Sequence, residues 1–217
     1  MSELPKVPDE FVELALQTAR QKRQEFVPVE HTEPFKLKEF QNPNDPAMTE
    51  NGQLQNPLFD RIITHNGQKS ASLRLLRFNL EEEMGEWVNN NITTEWKQVG
   101  VGTTVHSGAY GDVEETMQGP HTDTTRQYTL IYVIERSNED QYTVFYQEPG
   151  YPVRRKKNTL ILDMDHLIEI DRICIPLYTW VLVDATIVHS AQNIHGDRIS
   201  IQIGLDCDVF NVFAKEE

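Results

Sequence analysis

Arg198-Ile-Ser-Ile-Gln-Ile-Gly-Leu205 alternates polar and apolar residues at a strict period of two. Such a segment lies extended, with Ile199, Ile201, Ile203 and Leu205 on one face and Arg198, Ser200, Gln202 and Gly204 on the other. One face belongs against a core and the other against something polar. Upstream, from about residue 96, short runs of similar texture are separated by turn residues: Gly100 to Tyr110, Arg126 to Glu135, Tyr142 to Gln147, Thr159 to Asp163, Glu169 to Ile173, Trp180 to Val183 and Thr186 to Ala191. With Arg198 to Cys207 they suit two stacked sheets, a sandwich or jelly roll, rather than βαβ units. Neither an internal repeat nor a low-complexity tract is present, so solenoids and propellers are not supported.

The N-terminal part reads as helix and loop. Phe11, Leu14, Ala15 and Thr18 share one helical face after the start residues Pro8 and Asp9. Leu73, Leu76, Leu80, Met84 and Trp87 recur at helical spacing after Ser70 and Ser72, which predicts a second helix with Glu81, Glu82 and Glu83 facing water. Residues 41 to 57 are rich in Asn, Pro and Gln and carry no period, so they form a connector or a lid. A chain of 217 residues fits one domain. The expected division is a helical and loop part over residues 1 to 95, packed on a mainly β core over residues 96 to 210.

Charge narrows the partners. Lys and Arg total 20 against 34 Asp and Glu, a formal net charge of −14, which disfavours nucleic-acid phosphates and anionic lipid. The basic run Arg154-Arg155-Lys156-Lys157 reads as a solvated loop. The start MSELPKVPDE lacks the order of a secretory leader, and the longest uncharged apolar stretch, Ile173 to Val183, is too short to span a bilayer. A soluble, cytoplasmic protein is expected. Cys174 and Cys207 lack paired spacing, which argues against a disulfide scaffold or a thiolate metal site.

Seven histidines among 34 acidic residues in 217 give about one His-x-acid match by chance, and three occur. His31-Thr-Glu33 lies in an irregular segment, and His195-Gly-Asp197 reads as a hairpin turn. His121-Thr-Asp123 differs in setting: it follows Gly119-Pro120 and precedes Tyr128-Thr-Leu-Ile-Tyr-Val-Ile134, a run of strong β propensity. In extended chain His121 and Asp123 point to one face and can offer a nitrogen and an oxygen to one ion. His189, after Thr186-Ile-Val188, supplies a third donor from the last hairpin. Two imidazoles and a carboxylate on one face of an octahedron leave three positions open, the set used for non-haem iron(II). Taken singly, each histidine reads as readily as an ordinary loop or core-edge residue. Arg198 and Ser200, on one face of the last strand, suit a carboxylate held by charge-assisted hydrogen bonds.

His121-x-Asp123, the distal His189 and Arg198-x-Ser200 resemble the signature of iron(II)/2-oxoglutarate-dependent dioxygenases, and the region from Gly100 to Asp206 looks like the prolyl 4-hydroxylase branch. The resemblance implies a double-stranded β-helix holding iron(II) between His121, Asp123 and His189, with 2-oxoglutarate and dioxygen as co-substrates. Succinate and carbon dioxide are then the co-products, and hydroxylation of a small molecule, an amino acid or a peptide is the commonest outcome. By position, Tyr132 matches the tyrosine that donates to the distal carboxylate of 2-oxoglutarate, and Tyr110 matches one lining the site. Because Tyr128, Leu130, Tyr132 and Ile134 share a strand face, the phenol of Tyr132 is expected in the lumen. Two features depart from the branch: Asn138-Glu-Asp-Gln141 replaces the paired glycines that usually open the next strand, and Ser200 is more typical of other branches. The rivals are a cupin-like metal-binding barrel, for which no His-x-His pair is present, and a non-catalytic β-sandwich that binds protein. The carboxylate ligand argues against a halogenase.

Overall fold

The computed structural model describes residues 4–25, 62–65, 68–72, 74–92, 94–105, 115–123, 125–150, 155–156, 160–161 and 164–206. The chain opens with α1 (Asp9–Glu25), followed by β1 (Ile62–His65), β2 (Gln68–Ser72), β3 (Arg74–Asn79), α2 (Glu81–Asn91), β4 (Trp96–Val105) and β5 (Glu115–Met117). It continues through β6 (Tyr128–Arg136), β7 (Tyr142–Gln147), β8 (Arg155–Lys156), β9 (Leu160–Ile161), β10 (Ile168–Ile173), β11 (Trp180–Asp184), β12 (Val188–Gln192) and β13 (Arg198–Leu205). One sheet has the order β11-β6-β13-β4-β3, and a second has the order β1-β2-β5-β12-β7-β10. Pairing is antiparallel throughout both sheets except between β2 and β5. From β4 onward the chain repeatedly crosses from one sheet to the other, an arrangement consistent with a jelly roll.

Both sheets turn their apolar faces outward. Every residue of β13 is buried, and Ile199, Ile201, Ile203 and Leu205 join Val99, Val101, Leu130 and Ile134 in a core closed by Ala15 and Ala19 of α1 and by Met84 and Val88 of α2. The second sheet buries Val144, Tyr146 and Val188 against Met117, Met164 and Leu167. The opposite faces, which carry Arg198, Ser200 and Gln202 on one sheet and Thr143, His189 and Ala191 on the other, line a common cleft. The strict alternation of β13 therefore separates a helix-covered face from a polar lumen.

The helical reading of the Leu73 to Trp87 stripe is only half right. Residues 74–79 form β3, and the helix begins at Glu81. The switch is local: the Asn79 side-chain oxygen accepts the Glu81 amide at 2.7 Å, and the Leu80 amide donates to the Val99 carbonyl at 3.0 Å. Hydrogen bonding to β4 takes the upstream residues into the sheet, overriding their helical spacing. Glu81, Glu82 and Glu83 do face water, and Met84 and Val88 are buried. Of the basic run, Arg155 and Lys156 form a short ladder with Leu160 and Ile161 instead of a loop. The candidate lid at 41 to 57 lies outside the described residues, as do His31, His106 and Cys207. No helix among the described residues is long and apolar enough to cross a membrane.

Candidate metal and carboxylate site

His121 and His189 are brought together by the backbone. Each donates its amide to the other's carbonyl, at 3.0 and 2.9 Å, in an isolated antiparallel bridge. The two rings lie side by side with centroids 4.5 Å apart. Asp123 follows in extended chain, its amide bonded to the Ala185 carbonyl at 2.9 Å, and its Oδ1 lies 3.9 Å from His121 Nε2. The i, i+2 geometry expected of the motif is thus present.

Each ring is oriented through its inner nitrogen. His121 Nδ1 lies 2.9 Å from the Gly119 carbonyl and His189 Nδ1 lies 2.8 Å from the Ile187 carbonyl. A carbonyl only accepts, so both Nδ1 atoms carry the proton and both Nε2 atoms keep a lone pair. Gln118 Nε2, at 3.3 Å, can donate to that lone pair on His121. A backbone carbonyl behind each imidazole is the support that metal-ligating histidines ordinarily have.

Burial, followed by the neighbouring His189, pushes the His121 imidazole down to about 4, and burial also lowers His189. Burial pushes the Asp123 carboxyl upward, but the Arg126 and Arg77 guanidiniums outweigh it and hold the group below the usual carboxylate range. Neutral imidazoles beside an ionised carboxylate are the protonation states a divalent cation requires. In the metal-free protein the same shift makes stability depend on pH. As pH falls below about 6.5 the unfolded chain protonates His121 while the native state does not until about pH 4. Native stability is therefore full above that window and falls through it by roughly 3 kcal/mol, at about 1.4 kcal/mol per pKa unit. Urea unfolding at stepped pH should show this decline, and His121→Gln should flatten it; equal slopes in the two proteins would refute it.

Arg126 places both Nε, at 2.9 Å, and Nη2 on Asp123 Oδ2, leaving Oδ1 turned to His121. Arg77 Nη2 stands 3.7 Å from the same Oδ2. Among the described residues, no three His, Cys, Asp or Glu side chains stand close enough to hold an ion as they are placed. Two cis ligands at about 2.1 Å from one octahedral ion are about 3 Å apart, so the 3.9 Å between His121 and Asp123 needs a closure of about 1 Å. The donor types, their support and their charge states fit a metal; the spacing between His121 and Asp123 is about 1 Å too open for one.

The opposite sheet supplies Arg198, whose Nη2 donates to Thr143 Oγ1 at 3.1 Å while its buried Nη1 has no partner among the described residues. Burial lowers this guanidinium to about 10. Ser200 is buried beside it in the same cleft and accepts from the Gln202 amide at 3.0 Å. Tyr132 is a correction. It shares a face with Leu130 and Ile134 as expected, but that face packs toward α1, where the ring meets Trp180 at 4.8 Å and the phenol bonds to the Val7 backbone. Ile131 and Thr129 face the cleft in its place, so the lumen assignment of Tyr132 fails because the apolar side of the sheet is its outer side. Tyr110 lies outside the described residues. His195 sits exposed in the bend before β13, within hydrogen-bond distance of Asn193, but β12 and β13 lie in different sheets, so this segment is a crossover between sheets and not the hairpin turn expected for it, and His189 is not part of a hairpin with β13.

Sequence reasoning missed Arg126, Arg77 and Gln118. Arg126 was visible as the third residue after Asp123. Arg77 carried no signal once its segment was taken as helix.

No family model and no curated protein sequence matches the chain. Among solved structures it is similar to a cupin superfamily protein from Desulfitobacterium hafniense (11% identity, 62% of this chain and 79% of that one, TM-score 0.29). A cupin-like protein from Thermotoga maritima (15% identity, 69% and 77%, TM-score 0.27) is also similar. So is an L-ribose isomerase from Geodermatophilus obscurus (10% identity, 95% and 87%, TM-score 0.33).

Proposed function

We propose that the chain is an iron(II)- and 2-oxoglutarate-dependent oxygenase built on a double-stranded β-helix. One observation carries the reading. His121, His189 and Asp123 share one wall of a cleft whose other wall presents the buried, incompletely partnered guanidinium of Arg198. A buried cation with an unused donor costs free energy unless an anion completes it. A dicarboxylate would supply that anion at one end and could offer ligand atoms at the other.

In this reading His121, His189 and Asp123 would hold the ion through the two Nε2 atoms and Oδ1, and the ion would supply redox chemistry toward dioxygen. The remaining work belongs to the protein. The Gly119 and Ile187 carbonyls fix the ring orientations, Arg126 keeps Asp123 ionised, Thr143 aims Arg198, and Ser200 adds a hydroxyl beside it. The apolar cleft residues Ile131, Val183 and Ala185 limit water.

The approach of two guanidiniums to Asp123 Oδ2 favours a second reading, in which the cluster is a structural ion network in a non-catalytic sandwich. Anaerobic calorimetry with iron(II), followed by aerobic succinate measurement with 2-oxoglutarate, separates them. The oxygenase reading expects one iron per chain and slow succinate release even without a primary substrate. A protein that binds neither iron nor 2-oxoglutarate is the structural network.

A further inference from the structure

The cleft carries more cation than its own carboxylate balances. Arg77, Arg126 and Arg198 line it, and Asp123 is the one acidic side chain among its described lining residues. Its lining sets three guanidiniums against one carboxylate, in a chain whose formal net charge is −14. Such a cleft concentrates anions against the field of the rest of the molecule.

The three guanidiniums are not equally available. Arg126 is 2% exposed and commits two donors to Asp123. Arg198 is buried and, in the proposed reading, takes the co-substrate. Arg77 is different: it stands on β3, the outermost strand of its sheet, and its side chain is 37% exposed. Its contact with Asp123, at 3.7 Å, is longer than a hydrogen bond, and its Nε has no partner among the described residues. Its partly exposed side chain therefore carries a buried Nε that is left unmatched beside the metal-side wall.

We propose that Arg77 is a specificity-determining residue that pairs with a carboxylate of the primary substrate, which makes that substrate a free amino acid or other small organic acid. The assignment rests on the oxygenase reading for Arg198 and the metal ligands. A neutral internal peptide residue offers this guanidinium only uncharged carbonyl acceptors, whereas a carboxylate meets it with two charged oxygens through two parallel N–H donors.

The test uses the full chain loaded with iron(II) under anaerobic conditions and saturated with 2-oxoglutarate, so that no turnover occurs. Thermal unfolding is followed while free amino acids and small organic acids are added, each beside its primary amide. At least one acid is expected to raise the unfolding temperature where its amide does not. Arg77→Gln should weaken that acid about tenfold or more, the range for a hydrogen bond to a charged group, while keeping the response to 2-oxoglutarate. If Arg77→Gln does not fold, Arg77→Lys, which keeps the charge but not the planar fork, must show the loss. The proposal is overturned if no acid adds stabilisation, if acid and amide act alike, or if the variant binds the acid as the parent does. Failure of the underlying reading looks different: 2-oxoglutarate itself then gives no shift, or the same shift in Arg198→Gln.

Discussion

Asp123→Ala is expected to abolish iron-dependent succinate formation and, separately, to destabilise the metal-free protein by about 3–5 kcal/mol, the cost of leaving a buried charge without its partner. The second effect follows from Arg126, whose side chain is 2% exposed and whose Nε and Nη2 both rest on Asp123 Oδ2. Removing the carboxylate strands that cation, with Arg77 beside it. Replacing Arg126 by Met in the same chain should recover a large part of the lost stability and none of the activity. His189→Ala provides the contrast. It should lose iron binding and turnover as completely, but with no buried ion left unpaired its stability should fall less. Urea unfolding of the chelated proteins, set beside iron titration, measures both effects. Full turnover in the Asp123 variant would remove it from the ligand set. Loss of stability with normal iron binding would make it a partner of Arg126 alone.

Much of this site was legible because it depends on short-range geometry. A spacing of two in extended chain fixes the relative direction of His121 and Asp123 whatever the rest of the fold does, and β13 could be read for the same reason. The eight runs expected from residue 96 onward correspond to strands, although the structure adds β5 between the first two and β8 in the basic run. Tyr132 shows the limit. Periodicity tells which residues share a face, but not which face is inward, and here α1 and α2 cover the side that carries the apolar residues. The same limit explains Arg77. A leucine spacing compatible with a helix was overruled by hydrogen bonding to β4, a contact distant in sequence, and the guanidinium it delivers to Asp123 went unseen. Arg126 stands three residues after Asp123 in the sequence, but only the folded chain shows that its Nε and Nη2 both rest on Asp123 Oδ2 and leave Oδ1 free for His121.

Arg198→Met should separate ligand binding from folding more sharply than any other substitution in the cleft. In the ligand-free protein the guanidinium is buried with one donor on Thr143 and Nη1 unused, so it contributes poorly to stability for a group of its size. An apolar side chain of similar length is expected to leave the ligand-free protein as stable or more stable, as replacement of incompletely compensated buried charge commonly does. The cost appears when the co-substrate binds. A carboxylate facing a thioether in place of the guanidinium loses its charge-assisted hydrogen bonds, each worth about 1.5–3 kcal/mol, so half-saturation by 2-oxoglutarate should rise by roughly 10- to 100-fold or more. Iron binding should change little, since His121, Asp123 and His189 stand on the other wall of the cleft and Arg198 bonds to Thr143 instead. Arg198→Lys should fall between the two, because an ammonium keeps the charge but loses the paired donors. A methionine variant that melts higher, binds iron normally and needs far more 2-oxoglutarate would assign Arg198 to the co-substrate; one that melts lower with unchanged 2-oxoglutarate dependence would assign it to the sheet.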